Sequence, residues 1–528
     1  MKFLTQIPRH NPGGTPMTNN QKITLNIVMN LISFAITILI SLFITPWIVN
    51  TLGSEAYGFV GLAQNFVSYA SLITVALNAM SSRFVSIEIY RKDYDAANRY
   101  FTSTFFSNAM LALVMFPVFT VIVLHLEHLI NVPAELLVDV KIAFAITFLQ
   151  FLLNVLLSRY EIATFVTNRL YLNQKNNLIS SALRLLLILG FFALLSVRIS
   201  YLTLATLVGV VFTYVMNVIY TKRYLPEMKI RRKDFDFGCI KQLLSSGVWS
   251  LVNKLSTLLI DGLDLLLSNL FIGPAQMGAL SLSKTIPTMF YSLRGTLDYP
   301  FAPPMTQCYA NGDIDGVVRN TRMGNKILGV VLVAPIAAFC VYGTSFFRLW
   351  VPGEDASMIQ ILAILSLTNL LASACINSVF SVFTVTNHVK LPAIATLLNG
   401  ILSIVINYFL LKHTDLGVYV IAGTSSVLGM IRNYIFTPLY GAWCLKVKKT
   451  TFYHEILTGN LCLVLNVLVG LVFYSCVSTG ATWITLILSV GIMTVLCIVI
   501  NAFIVLDRSE RAAMIGAVRN KLKRSKTS

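Results

Sequence analysis

Leu52-Gly53-Ser54-Glu55-Ala56-Tyr57-Gly58 and Ile272-Gly273-Pro274-Ala275-Gln276-Met277-Gly278 lie 220 positions apart, and this pair decides the fold. Each heptapeptide follows a long apolar run and keeps its two glycines. The same shift carries Asp93, Asp95 and Arg99 onto Asp313, Asp315 and Arg319, in two further loops. Two loops matching at one offset point to a duplicated unit. The glycines suit tight turns between helices. Asp95 and Asp315 fall at the start of a following helix, where an acid favours the helix dipole, and they read as structural.

Outward from these loops, apolar runs of about 20 residues recur along nearly the whole chain, the length needed to cross roughly 30 Å of hydrocarbon. Backbone amides in lipid must be satisfied internally, so the runs are helices. Spans are expected near 26–48, 59–82, 101–125, 140–163, 178–198, 201–220, 243–271, 279–303, 325–347, 357–385, 391–411, 417–441, 456–476 and 483–506. The repeat offset covers six of them, an even number, so both halves enter the membrane in the same orientation. Parallel repeats pair about an axis along the membrane normal, with substrate near the midplane between the halves. The expected fold class is all-α: a polytopic membrane protein of about fourteen helices, two parallel six-helix repeats plus an extra helix pair. The layout is a tail at 1–22, a six-helix lobe at 23–222, a basic linker at 223–242, a second lobe at 243–441, helices 13 and 14 within 442–506, and a basic tail at 507–528.

Composition excludes a soluble globular protein. Charged residues make up 12% of the chain, about half the usual share, and hydrophobic residues 56%. The net charge of +18 is not a nucleic-acid signature, because its distribution follows topology. About 30 of the 40 Lys and Arg lie in the N-terminus, 83–100, 164–177, 221–242, 304–324, 386–390, 442–455 and the C-terminus. The alternate loops hold only Lys141, Arg198, Arg348 and Lys412. The positive-inside rule then puts both termini in the cytoplasm; the expected location is the cell's inner (cytoplasmic) membrane. The clusters Lys222-Arg223, Arg231-Arg232-Lys233 and the tail from Arg519 to Lys526 set topology, or attract anionic headgroups or an acidic partner. Eight cysteines are scattered singly, so neither a disulfide framework nor a metal site is suggested. The first 16 residues are polar and hold Pro8, Pro12, Gly13, Gly14 and Pro16, so no cleavable signal is expected; Met1 and Met17 are both candidate starts.

Ionisable groups inside spans are expensive and therefore functional candidates. The cations are Arg159 on span 4, Arg184 on span 5, Lys254 on span 7, Lys284 and Arg294 on span 8, and Arg432 on span 12. The acids are Glu161 on span 4, Asp261 and Asp264 on span 7, and Asp298 on span 8. Lys254, Thr257, Asp261 and Asp264 step by three, four and three, one helical face. Ser281, Lys284, Thr288, Tyr291, Arg294 and Asp298 make another. Spans 1 and 2 carry matching stripes, Asn26, Asn30, Ser33, Thr37, Ser41, Thr45 and Gln64, Ser68, Ser71, Asn78, Ser82. Under the repeat shift Gln64, Thr74 and Asn78 fall on Lys284, Arg294 and Asp298, and Ser41 on Asp261. Polar faces are thus kept in both halves, with formal charge mainly in the second.

A neutral cargo gives no reason for buried cations, whereas a diphosphate does. Arg offers a planar fork for phosphate oxygens and Lys a compact charge, while hydroxyls, amides and Tyr291 suit a sugar. The competing reading is structural: Lys254 with Asp261 and Arg294 with Asp298 as neighbours on one helix, and Arg159, Glu161 and Arg432 snorkelling to the interface. Arg184 has no acid within a turn of its own helix, which makes it the leading single cation for substrate. Asp261 and Asp264 together, and Asp298, are candidates for coupling to H+ or Na+; no other cofactor is implied.

The chain resembles the polysaccharide transporter (O-antigen flippase) branch of the multidrug/oligosaccharidyl-lipid/polysaccharide exporter superfamily. Leu52 to Gly58 match its L-G-x-x-x-Y-G pattern, with a partial echo at Ile272-Gly273. The resemblance implies two six-helix lobes, alternating access, and an undecaprenyl-diphosphate-linked oligosaccharide as cargo. It also implies cations lining a central cavity, onto which Arg184, Lys254, Lys284 and Arg294 map by type and approximate location. Drug-exporting relatives place an acid on span 1, where this chain has only Ser and Thr. Expected partners are the lipid-linked oligosaccharide, membrane lipids and other membrane proteins of polysaccharide assembly, with no nucleic acid.

Two rivals stay open. A multidrug or small-cation antiporter predicts an acidic cavity. A membrane-embedded glycan polymerase or transferase needs a catalytic cluster, and the longest external segment, 126–139, holds His128 without a convergent set. No catalytic residues are therefore assigned. No phosphate-binding glycine loop is present, which excludes ATP as the direct energy source.

Overall fold

The structure is a computed structural model; it describes residues 19–511 apart from Asn168, Ser196 and 477–481. The expectations for 1–18 and 512–528 lie outside the described residues, as do the side chains of Asn26, Asn30, Thr37, Ser41 and Asp261. Fourteen long helical segments follow one another. The first six are α1 (Asn19–Leu52), α2 (Ser54–Tyr90), α3 (Tyr94–Leu124), α4 (Leu137–Val166), α5 (Leu170–Leu194) and α6 (Ile199–Tyr224). The next six are α7 (Phe237–Phe271), α8 (Pro274–Ser283 then Thr285–Asp298), α9 (Ile314–Trp350), α10 (Ala356–Ala374), α11 (Lys390–His413) and α12 (Val418–Cys444). The last two are α13 (Tyr453–Cys476) and α14 (Trp483–Val505). No strand occurs among the described residues.

Among the described residues, eleven helices are long and apolar enough to cross a membrane. The remaining three are α1, α8 and α12. The last two fall short for a telling reason: α8 is split at Lys284 and carries Arg294, and α12 carries Ser425, Ser426, Arg432 and Asn433. Their polarity is that of a wall facing a cavity rather than lipid.

The duplication visible in sequence is visible in packing. Within the first six helices α1 packs on α5, α3 on α4, α4 on α6 and α5 on α6; within the next six α7 packs on α11, α9 on α10, α10 on α12 and α11 on α12. The helix starts match as well. Asp93 accepts from the Ala96 amide at 2.9 Å and its counterpart Asp313 from the Gly316 amide at 2.8 Å, so the capping acids are Asp93 and Asp313, with Asp95 and Asp315 in the first turns. Gly53 and Gly273, which open α2 and α8, have φ of 86° and 141°, a region that penalises side chains.

The two motifs also touch. A Cβ added to Gly58 would lie 3.0 Å from the Gly278 Cα, and one added to Gly278 only 2.6 Å from the Ser54 carbonyl. Repeat-related glycines therefore let α2 and α8 cross at backbone contact. Further along, Gly247 of α7 lies against the backbone of Ala76 of α2, and the Tyr69 hydroxyl donates to the Gly262 carbonyl at 2.6 Å. α2 is the bridge between the two sets of six. α13 and α14 pack on α9, outside both.

Candidate functional site

The sequence of α7 predicts one continuous polar face, and the structure breaks it. Leu258–Gly262 forms a π-helical turn, whose wider hydrogen bonding inserts a residue and rotates the rest of the helix relative to its start. Thr257, before the turn, and Asp264, after it, both line a cavity of about 710 Å³, while Lys254, half-buried one turn before Thr257, is not part of its wall.

Just past that turn, Asp264 begins the final segment of α7 and is 5% exposed. Lys284 stands at the break in α8 and donates to the Asp264 carboxylate at 2.5 Å. Along α8, Lys284, Thr288, Tyr291 and Arg294 step by four, three and three, and all four reach the cavity. Arg294 donates from Nη1 to the Ser373 hydroxyl at 2.7 Å, and its guanidinium lies 5.1 Å from the Tyr291 ring centroid. From the opposite wall Arg432 of α12 donates to the Thr396 hydroxyl at 2.7 Å. Asn433 donates to Asn369 at 2.9 Å, and Gly429 is the reason α12 approaches so closely: a Cβ there would sit 2.7 Å from the Asn369 amide carbon.

Lys284, Arg294, Arg432, Tyr291 and Asp264 are thus brought together, with amides and hydroxyls of Asn369, Asn377, Ser425 and Asn433 between them. Every residue lining this cavity comes from the second repeat of the chain, from Thr257 to Asn433, not from both halves as the repeat argument expects. The physical cause is the asymmetry of charge between the halves: the residues that replace Gln64 and Thr74 in the second half are ionised and need solvated space.

The other candidates lie elsewhere. Asp298, 9% exposed, accepts from Asn377 at 2.7 Å and from the Ser378 hydroxyl. The competing reading, a pairing of Arg294 with Asp298, is replaced by these contacts, because the segment after α10 supplies donors from across the bundle; the acid holds Asn377. Arg184, on α5, is not part of this wall: its side chain is reached by solvent but stands among surrounding protein, with Tyr57 as an electrostatic neighbour. Arg159 does not snorkel. It is 7% exposed in the 3-10 turn of α4, donates to the carbonyls of Leu156, Val155 and Phe101, and sits 4.9 Å from the Phe105 ring centroid. Glu161, in the same turn, lines a separate polar pocket with Arg83 and Asn173.

Several polar residues carry no sequence signal. Asn369 is a single amide in an apolar run. Arg322 pairs with buried Glu455 at 2.6 Å, and buried Lys326 with Asp507 at 3.1 Å and Glu510 at 2.9 Å, across intervals that no periodicity reports. Among the described residues no group of three His, Cys, Asp or Glu is placed to hold a metal, and the eight cysteines are free thiols.

Residues 23–294 match the family model described as "polysaccharide biosynthesis protein". The chain is also 33% identical over 436 residues, 83% of its length, to the uncharacterized membrane protein EpsK of Bacillus subtilis (strain 168), covering 86% of that protein. The chain belongs to the polysaccharide biosynthesis protein family. Among solved structures, this family member is similar to the lipid II flippase MurJ in an inward closed conformation, with a TM-score of 0.65 at 14% identity, covering 91% of this chain and 98% of that one. It is similar to an inward-facing multidrug resistance MATE transporter, TM-score 0.61 at 15% identity, with 81% and 98% covered. The polysaccharide biosynthesis protein described here therefore shares its fold with these two transporters and is a multi-pass membrane protein.

Proposed function

We propose that the protein flips an undecaprenyl-diphosphate-linked oligosaccharide from the cytoplasmic to the outer face of the cytoplasmic membrane, with both termini in the cytoplasm, for surface polysaccharide synthesis. The observation that carries this reading is the convergence of Lys284, Arg294 and Arg432 on one cavity whose remaining wall is amide and hydroxyl. Guanidinium forks and an ammonium suit a diphosphate, and the amides suit sugar hydroxyls. At about 710 Å³ the space fits a phosphorylated sugar head rather than a lipid tail.

The tail has a place of its own. On the other side of α8, Ile286, Met289, Phe290 and Leu293 line an apolar groove of about 1030 Å³ shared with α1, α9 and α14. One helix therefore presents cations to a cavity and hydrocarbon to a groove, an arrangement suited to an amphipathic cargo straddling it. Asp264 supplies a route to ion coupling: a proton or Na+ arriving at its carboxylate would weaken its hold on Lys284, which then turns to phosphate.

The fold is shared with multidrug transporters, and Asp264 is an acid in the cavity, so a small-cation antiporter is the reading to be tested against. Arg294→Ala and Arg432→Ala should each abolish export of surface polysaccharide while the protein inserts at normal levels, and Arg294→Lys should retain part of it. Normal export from both alanine variants overturns the diphosphate assignment.

A further inference from the structure

A second groove, of about 700 Å³, opens between α2, α3 and α7 at the basic end of the bundle. We propose that it binds an anionic glycerophospholipid of the leaflet on that side. Its floor is Leu77 and Ile240, which pack with fully buried Leu243 behind them, and its rim is exposed hydrocarbon from Ile73, Met110, Val114 and Leu244. Phe106 and Phe235, in edge contact at 6.1 Å between centroids, mark its mouth, and Arg232 lines that mouth.

The basic segment is built into place rather than hanging free. Asn98, 4% exposed on α3, donates to the Glu227 carbonyl at 3.0 Å and accepts from the Lys229 amide at 2.8 Å. Ser103, fully buried, accepts from the Asp236 amide at 2.8 Å. These bonds fix both ends of the short 3-10 turn Arg232–Asp234 against α3. The nearby carboxylate of Asp236 is occupied by the Gly238 amide at 2.7 Å, and none of the ion pairs among the described residues engages Arg232. With Arg231, Arg232 and Lys233 against Asp234 and Asp236, the mouth is net cationic.

The groove's depth identifies the occupant. From Phe106 to Val114 is eight residues of α3, about 12 Å, close to the depth of one leaflet's hydrocarbon. That matches an acyl chain entering from the headgroup region, with the phosphate at Arg232, and not a polyprenyl chain many times longer. Such a lipid would rest over the seam where Ala76 meets Gly247, in contact with α3 of the first six helices and α7 of the second.

The test uses the full-length protein in detergent and native mass spectrometry with phosphatidylglycerol and phosphatidylcholine. Wild type should bind phosphatidylglycerol about fivefold more tightly than phosphatidylcholine, the scale of one cation at a headgroup. Arg232→Gln should erase that preference, and Met110→Trp, which fills the groove, should weaken both lipids. Equal binding of the two lipids to wild type, or a preference that survives Arg232→Gln, overturns the site. So does displacement of phosphatidylglycerol by undecaprenyl phosphate at lower concentration, which would give the groove to the cargo's tail.

Discussion

Replacing Gly247 by alanine should force α7 away from α2. A Cβ at this position would lie 1.9 Å from the Ala76 carbonyl oxygen, 2.6 Å from its carbon and 2.8 Å from its Cα. Ordinary contact begins near 3.4 Å, so the helices must part by about 1.5 Å. The opposing atoms are backbone, and no rotamer change relieves them. Leu77 and Leu243, both fully buried beside this crossing, would lose contact as the gap opens, as would the Tyr69 and Tyr100 bonds to Gly262 and Gln242 that flank it. Overpacking of this kind costs roughly 1–3 kcal/mol. Removing a helical glycine returns about 0.5–1 kcal/mol, which leaves a net loss of up to about 2.5 kcal/mol. Gly190→Ala on α5 is the matched control, since nothing lies within 4 Å of its added methyl and only the propensity gain remains. The assay is the fraction of monodisperse protein surviving a heating series in detergent. Gly190→Ala should equal or exceed wild type and Gly247→Ala should fall below it. If the two variants survive equally, the close crossing of α2 and α7 is wrong, and with it the account of how the two sets of six meet.

Lys284→Ala should both stop export and destabilise the fold, by about 3–5 kcal/mol, because it strips the ion pair from the buried Asp264 carboxylate. Adding Asp264→Asn should restore the melting temperature without restoring export; recovery of export would make the pair purely structural. Arg159→Gln should lower the yield of folded protein, since the carbonyls of Phe101, Val155 and Leu156 each lose a donated bond from a buried guanidinium, while transport per folded molecule stays near wild type; a transport-specific defect at normal yield would return Arg159 to the substrate path. Lys326→Met should free the segment around Asp507 and Glu510, read as faster trypsin cleavage at Arg508 and Arg511, and unchanged cleavage would contradict the clamp.

Hydropathy makes the fourteen segments legible, and the Gly58/Gly278 echo makes the repeat legible, because both are properties of short local strings. Read from sequence, all four motif glycines suit turns, whereas Gly58 and Gly278 lie inside helices and meet where α2 crosses α8. What local strings cannot carry is a change of phase or a long-range partner. The π-turn at Leu258–Gly262 has no compositional mark, and helical spacing groups Lys254 with Thr257 and Asp264 although only the latter two line the cavity. Arg159 and Asp298 look alike in sequence, charges stranded in apolar runs. One is satisfied by carbonyls and the other by Asn377 and Ser378, and Phe101, Asn377 and Ser378 are all too distant in sequence to be counted. Arg432, Asn433 and Asn369 converge only because Gly429 lets α12 close on α10, a contact that spacing along either helix does not encode.

The measurement that bears most directly on the central claim is the fate of the lipid-linked precursor in a strain lacking this protein. The account predicts that undecaprenyl-linked oligosaccharide accumulates on the cytoplasmic face and surface polysaccharide disappears. Both should be restored by the intact gene and not by the Arg294→Ala variant. Normal precursor levels together with new sensitivity to cationic dyes would contradict it, and would make the cavity around Asp264 that of a cation antiporter.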